Sequence, residues 1–85
     1  MTASSDLDWR EARSKARHAE KKRDFARAET LYRQALEMIE STIGPDSVPI
    51  AQILLCLGDC YDLNGRAEDA KALYKRARVI LEKLT

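Results

Sequence analysis

Phe25-Ala26-Arg27-Ala28-Glu29-Thr30-Leu31-Tyr32-Arg33-Gln34-Ala35 and Ala67-Glu68-Asp69-Ala70-Lys71-Ala72-Leu73-Tyr74-Lys75-Arg76-Ala77 are two versions of one pattern, set 42 residues apart. Ala28, Leu31, Tyr32 and Ala35 return as Ala70, Leu73, Tyr74 and Ala77. Within each copy these positions fall on one face of an α-helix. Small residues recur where helices can cross closely, with a large aromatic ring between them. Such a unit cannot bury its apolar face alone, so the pattern predicts stacked helical repeats.

Each copy is preceded by a second helical segment. Before the first, Trp9, Ala12, Ala16 and Ala19 form an apolar stripe, and Arg10, Arg13, Arg17 and Lys21 form a basic one. Ser5 with Asp8 resembles a capping pair at its start. Before the second, residues 48 to 63 are apolar almost all round, through Ile50, Ile53, Leu54, Leu55, Leu57 and Tyr61. A helix of that kind is covered on two sides. Between the copies Gly44 can end a helix in the left-handed conformation and Pro45 prevents its continuation. Asp46 or Ser47 can then cap the next helix. Asn64-Gly65 punctuates the second copy, and Lys22-Arg23-Asp24 is a softer break in the first. The spacing predicts four helices and no strand, an all-α chain. Residues 1–85 form one domain, with a first unit over about 7–43, a linker at 44–47 and a second unit over about 48–84.

Leu54, Leu57-Gly58, Tyr61, Gly65, Ala70, Tyr74 and Ala77 resemble the tetratricopeptide repeat pattern, in order and spacing. The first copy, Ala12, Ala16, Ala19, Phe25, Ala28, Tyr32 and Ala35, is weaker: Arg23 replaces the usual turn glycine and Lys15 the usual leucine. The 42-residue period resembles the kinesin-light-chain type of repeat. The resemblance implies two tandem helix-turn-helix units in a short right-handed superhelix, an α-solenoid of four helices. It also implies a non-enzymatic protein-interaction module or adaptor, in which the first helix of each pair lines a concave groove.

On that basis the groove receives Arg10, Arg13, Arg17 and Lys21 from the first unit, and Gln52, Leu55, Cys56, Asp59 and Leu63 from the second. The basic residues suit an acidic peptide through charge-assisted contacts. The competing reading is a solvated helix face on which Arg17 pairs with Asp59. Leu55 and Leu63, apolar at groove positions, suggest a hydrophobic anchor flanked by acidic groups, or else ordinary packing. Chaperone-binding members of the family grip two carboxylates with Lys and Asn. Arg13, Arg17 and Cys56 stand here instead, so that clamp is not implied.

Composition narrows the rest. The 85 residues are 45% hydrophobic and 34% charged, with three Gly and two Pro, which excludes a disordered tail and a Gly/Pro-rich β protein. A net charge of +1 gives no global field toward nucleic acid or an anionic membrane, and neither is expected as a partner. No apolar run is long enough to span a bilayer. The first residues lack the regions of a secretory signal. Cys56 and Cys60, one helical turn apart, make no disulfide framework, so the expected location is a reducing cytoplasm. His18 is the only histidine, and neither a metal site nor a cofactor is predicted. No catalytic constellation is present, so no enzymatic activity is expected.

Two repeats leave an apolar end face, because each unit offers one to the next. Val79, Ile80 and Leu84 are assigned to self-association on that ground, and a homo-oligomeric scaffold is the alternative function.

Overall fold

The computed structural model describes residues 8–85 and consists of four helices: α1 (Trp9–Lys21), α2 (Phe25–Thr42), α3 (Val48–Leu63) and α4 (Ala67–Lys83). Helix α1 packs on α2 and α3 packs on α4, while α2 and α3 join the two hairpins. The helices therefore lie in chain order, each next to its sequence neighbour. The whole measures 41 × 35 × 14 Å, so it is one helical hairpin beside another and thin in one direction.

Local chemistry sets the helix ends. The Asp8 carboxylate accepts the Glu11 N–H at 3.0 Å, so Asp8 itself is the N-cap of α1; Ser5, the other half of the expected pair, lies outside the described residues. Asp24 caps α2 by accepting the Arg27 N–H at 3.3 Å, and Ser47, rather than Asp46, caps α3. Pro49 is tolerated because the first turn of a helix has no partner for its N–H groups.

The turns inside the two hairpins are built alike. The Arg23 N–H reaches the Glu20 carbonyl and the Asp24 N–H the Ala19 carbonyl, each at 2.9 Å. Forty-two residues on, Gly65 donates to Asp62 at 3.1 Å and Arg66 to Tyr61 at 2.8 Å. Both are Schellman closures with a left-handed residue at their centre, Arg23 at φ 63° and Gly65 at φ 78°. The arginine that replaces glycine in the first copy thus keeps glycine's conformation.

Alanine lets the helices meet: Ala12, Ala16, Ala28, Ala35, Ala51 and Ala77 are fully buried. Around them pack Tyr32, Ile39, Ile50, Ile53, Leu54, Leu57, Cys60 and Tyr61. Among the described residues no polar or charged side chain is buried. Helix α3 is indeed covered by α2 and α4, although Leu55 and Leu63 face outward.

The two copies differ where the second lacks a neighbour. Leu31, Tyr32 and Ile39 of α2 are buried under α3, whereas their α4 equivalents Leu73 and Tyr74 are half-buried and Leu81 is 37% exposed. Of the residues assigned to self-association, Val79 and Leu84 are exposed. Ile80 corrects that expectation: at 2% exposure it belongs to the chain's own core. It stands three residues from the buried Ala77, on the inward face of α4.

Candidate functional site

Helix α1 presents its basic face because its apolar face is only alanine-wide. Ala12, Ala16 and Ala19 seat the helix against α2, and the residues between them point away. Arg10 and Arg13 bracket the half-buried Trp9 ring, their guanidinium carbons 4.8 and 5.3 Å from its centroid. Arg10 also approaches Asp8 at 3.9 Å, which ties it to the start of the helix. Arg13, Arg17 and Lys21 form no ion pair among the described residues.

The end of α3 comes near α1 without packing on it. Arg17, Glu20 and Lys21 enclose with Leu63 a concavity of about 210 Å³. Leu63 is 55% exposed there, an apolar floor beside two cations. Cys56 is half-buried; burial pushes its thiol up, while the nearby Arg17 and Arg13 charges act in the opposite direction. Gln52 and Leu55 are exposed farther toward the start of α3.

Asp59 does not pair with Arg17. Its carboxylate accepts the Tyr74 hydroxyl at 2.5 Å, a hydrogen bond that pushes the phenol up to about 12. In the first unit the equivalent Tyr32 hydroxyl donates to Glu20 at 3.0 Å. Helices α1 and α3 are therefore each tied to their own hairpin partner by a tyrosine–carboxylate bond. Sequence reading placed both tyrosines in the core but had no signal for their hydroxyl partners.

The structure thus brings together Arg13, Arg17, Lys21, Cys56 and Leu63, with Glu20 added. Arg10 is drawn toward Asp8, and Asp59 is committed to Tyr74.

On the adjoining face of α1, reached across Ser14 and His18, lies a larger feature. Ser14, Lys15, His18 and Lys22 of the first helix and turn face Asp24 and Arg27 across a cleft of about 780 Å³ floored by Ala19. Lys15 pairs with Glu11 at 4.0 Å, and the Asp24 carboxylate is occupied in capping α2. The run Lys21-Lys22-Arg23 was the available signal, but only the turn brings Lys22 toward Arg27.

The joint between the units carries the densest polar cluster. The Tyr61 hydroxyl donates to Glu29 at 2.8 Å, Arg33 bonds both Glu29 and the Tyr61 hydroxyl, and Arg66 reaches Glu29 at 3.2 Å and Asp69 at 2.8 Å. The Arg66 guanidinium also lies over the Tyr61 ring, 4.2 Å from its centroid. Burial opposes ionisation of Glu29, but the Tyr61 and Arg33 hydrogen bonds and the Arg33 and Arg66 charges prevail and hold its carboxyl below its ordinary value. Burial pushes the Cys60 thiol up to about 11, leaving it protonated beneath this cluster.

Among the described residues no helix is long and apolar enough to cross a membrane, and no group of three His, Cys, Asp or Glu could hold a metal ion. A family model described as tetratricopeptide repeat matches residues 8–83. No curated protein and no solved structure matches the chain.

Proposed function

The chain belongs to the tetratricopeptide repeat family, and on that premise we propose that it holds an acidic peptide segment of a protein partner in the groove between α1 and α3. Repeats of this family are protein–protein interaction modules, and nothing among the described residues points to catalysis. Arg13, Arg17 and Lys21 supply the charge, and Leu63, with Leu55 beyond it, supplies the apolar contact.

One observation carries this reading. Arg33, Arg66 and Arg76 are all neutralised by carboxylates, whereas Arg17 and Lys21 converge on an apolar floor with no ion pair among the described residues. Glu20 is the carboxylate nearest them, and it is engaged by Tyr32. A peptide with acidic residues on both sides of a leucine complements that arrangement.

The test is fluorescence anisotropy with a labelled twelve-residue probe of this kind. Arg13→Glu with Arg17→Glu should weaken binding about 10- to 100-fold, the range for losing two charge-assisted contacts. Unchanged affinity in that variant, with the fold intact by circular dichroism, defeats the groove reading.

A second reading rests on the exposed end face. Leu73, Tyr74 and Leu81 are more exposed than their buried equivalents in α2, so this face can join a second copy. Light scattering across a concentration series separates the readings, because self-association through α4 raises the solution mass without any peptide.

A further inference from the structure

The cleft between α1 and α2 has a filled counterpart inside the same molecule. Shifting by the 42-residue period carries Lys15, His18, Ala19 and Lys22 onto Leu57, Cys60, Tyr61 and Asn64. Leu57, Cys60 and Tyr61 are 1%, 1% and 4% exposed, because α2 lies in the corresponding slot of the second unit. Contacts confirm the seating: the Cys60 thiol points at the Phe25 carbonyl, 4.0 Å away, and Tyr61 and Arg66 grip the Glu29 carboxylate of α2. Each unit therefore has a slot shaped for a helix.

In the first unit the slot is open among the described residues, and its lining has changed from apolar to cationic. Ala19 stands where Tyr61 fills the second slot, so no ring reaches into the cleft of about 780 Å³. Lys15 replaces the buried Leu57, and His18 replaces the buried Cys60. Arg27 and Lys22 close the wall, with no ion pair to either among the described residues. The one carboxylate lining the cleft is Asp24, held at the start of α2.

We propose that this slot docks an acidic amphipathic helix of a protein partner, whose carboxylates one turn apart meet Lys15, His18, Lys22 and Arg27. The internal template shows how a helix seats, but not the same acid contacts. Tyr61 and Arg66, which grip Glu29 in the second slot, correspond to Ala19 and Asp24 in the first, so the incoming carboxylates are received by the cations around them. A second copy of this chain does not fit. Stacking its α4 in the slot by the same relation brings Lys71 where α2 carries Glu29, and Lys75 where α2 carries Arg33. Lys71 would then face Asp24, the equivalent of Arg66, but α4 as a whole carries five Lys and Arg against three Asp and Glu, which opposes the cationic lining of Lys15, Lys22 and Arg27. The site adjoins the basic stripe of the groove along Ser14 and His18, but it is lined by α1, the turn and α2, with no residue of α3.

The template also supplies a probe. A labelled peptide of the α2 sequence, residues 25 to 42, carries Arg27→Glu and Arg33→Glu and is stapled between positions 30 and 34 to hold it helical. Its affinity for the full chain is measured by anisotropy against that of a stapled peptide of the same composition in scrambled order. The native-order probe should bind in the micromolar range, at least about tenfold tighter than the scrambled one, and lose affinity with added salt. Lys22→Glu with Arg27→Glu in the protein should weaken it a further tenfold or more, whereas Arg13→Glu with Arg17→Glu should leave it within about twofold. Lys22→Gln with Arg27→Gln, which removes the charges without reversing them, should give an intermediate loss if the first variant unfolds. Equal binding of the native-order and scrambled probes overturns the slot, as does undiminished binding by the folded Lys22/Arg27 variants. Loss only in the Arg13/Arg17 variant assigns the peptide to the groove and leaves the slot without a role.

Discussion

The ring of Tyr74 lies against the backbone of Gly58, so close that a methyl group built at Gly58 would stand 2.6 Å from Cε1 and 3.0 Å from Cδ1. The cause is one residue away. Tyr74 donates to Asp59, which follows Gly58 directly, and this draws the ring across the glycine. In the first unit Tyr32 donates to Glu20, four residues beyond Ala16, and the methyl of Ala16 is accommodated with no exposure.

Gly58→Ala therefore sets two effects against each other. Alanine in place of glycine inside a helix stabilises by about 1 kcal/mol. Displacing the Tyr74 ring costs its packing and its bond to Asp59, together about 2 kcal/mol. Chemical denaturation should show a net loss of about 1 kcal/mol. In a Tyr74→Ala background the clash is absent and the same substitution should become stabilising. No change of sign between the two backgrounds refutes the coupling.

Arg23 and Gly65 make a second opposed pair. Both are left-handed, at φ 63° and 78°, but only Arg23 carries a Cβ there. That conformation costs an L-residue about 1–2 kcal/mol, partly offset by the lower entropy an arginine has in the unfolded chain. Arg23→Gly also removes a guanidinium 5.1 Å from the centre of the Phe25 ring. The balance favours glycine, and Arg23→Gly should raise stability by about 0.5 kcal/mol while Gly65→Ala lowers it by about 1 kcal/mol. Thermal melts of the two single variants decide the signs.

These pairs show what was legible in the sequence. The 42-residue recurrence of Ala, Leu, Tyr and Ala marked the helices, and Gly44, Pro45 and Asn64-Gly65 marked where they end. Alanine and tyrosine at those spacings carry the fold because packing depends on size and periodicity, which a linear pattern preserves. Hydroxyl and carboxylate partners are another matter. Whether Asp59 meets Arg17 or Tyr74 depends on how α4 leans on α3, and both partners stand at plausible distances along the chain. Val79 and Ile80 are distinguishable by spacing, since Ile80 follows the buried Ala77 by three residues and Val79 falls off that face; assigning Ile80 to self-association sets the spacing aside. The basic face of α1 was visible as a stripe, but its division between the concavity beside Leu63 and the adjoining cleft beside Arg27 required α2 and α3 in place.

Glu29 links the units, and its ionisation should register in the pH dependence of stability. Burial works against its charge, yet the Tyr61 and Arg33 hydrogen bonds and the Arg33 and Arg66 charges hold its folded pKa below the ordinary 4.5. A carboxyl of this kind binds fewer protons folded than unfolded, so its contribution is complete above that value and disappears as pH falls through the lower folded one. Glu29→Gln should lower stability at pH 7 by about 1–2 kcal/mol, the usual loss for a charged hydrogen-bonded group. Denaturation curves at pH 7 and pH 3 should differ less for the variant than for the parent chain. An equal acid response in both removes Glu29 from the account.

Ile39 and Leu81 occupy the same repeat position, yet Ile39 is fully buried and Leu81 is 37% exposed. Truncating each to alanine measures what a neighbouring unit contributes at one site. Ile39→Ala removes three methyl or methylene groups from a closed core and should cost about 3–4 kcal/mol, transfer and cavity terms together. Leu81→Ala removes as many groups from a partly open face, where water already reaches and no sealed cavity forms, and should cost about 1 kcal/mol. Urea denaturation at low protein concentration gives both values for the isolated chain. If α4 docks a second copy, the Leu81→Ala penalty should grow with protein concentration while the Ile39→Ala penalty stays fixed, because only the former belongs to an interface. A penalty at Leu81 that does not move with concentration leaves the α4 face solvent-exposed in the working molecule, and the second reading of its function fails.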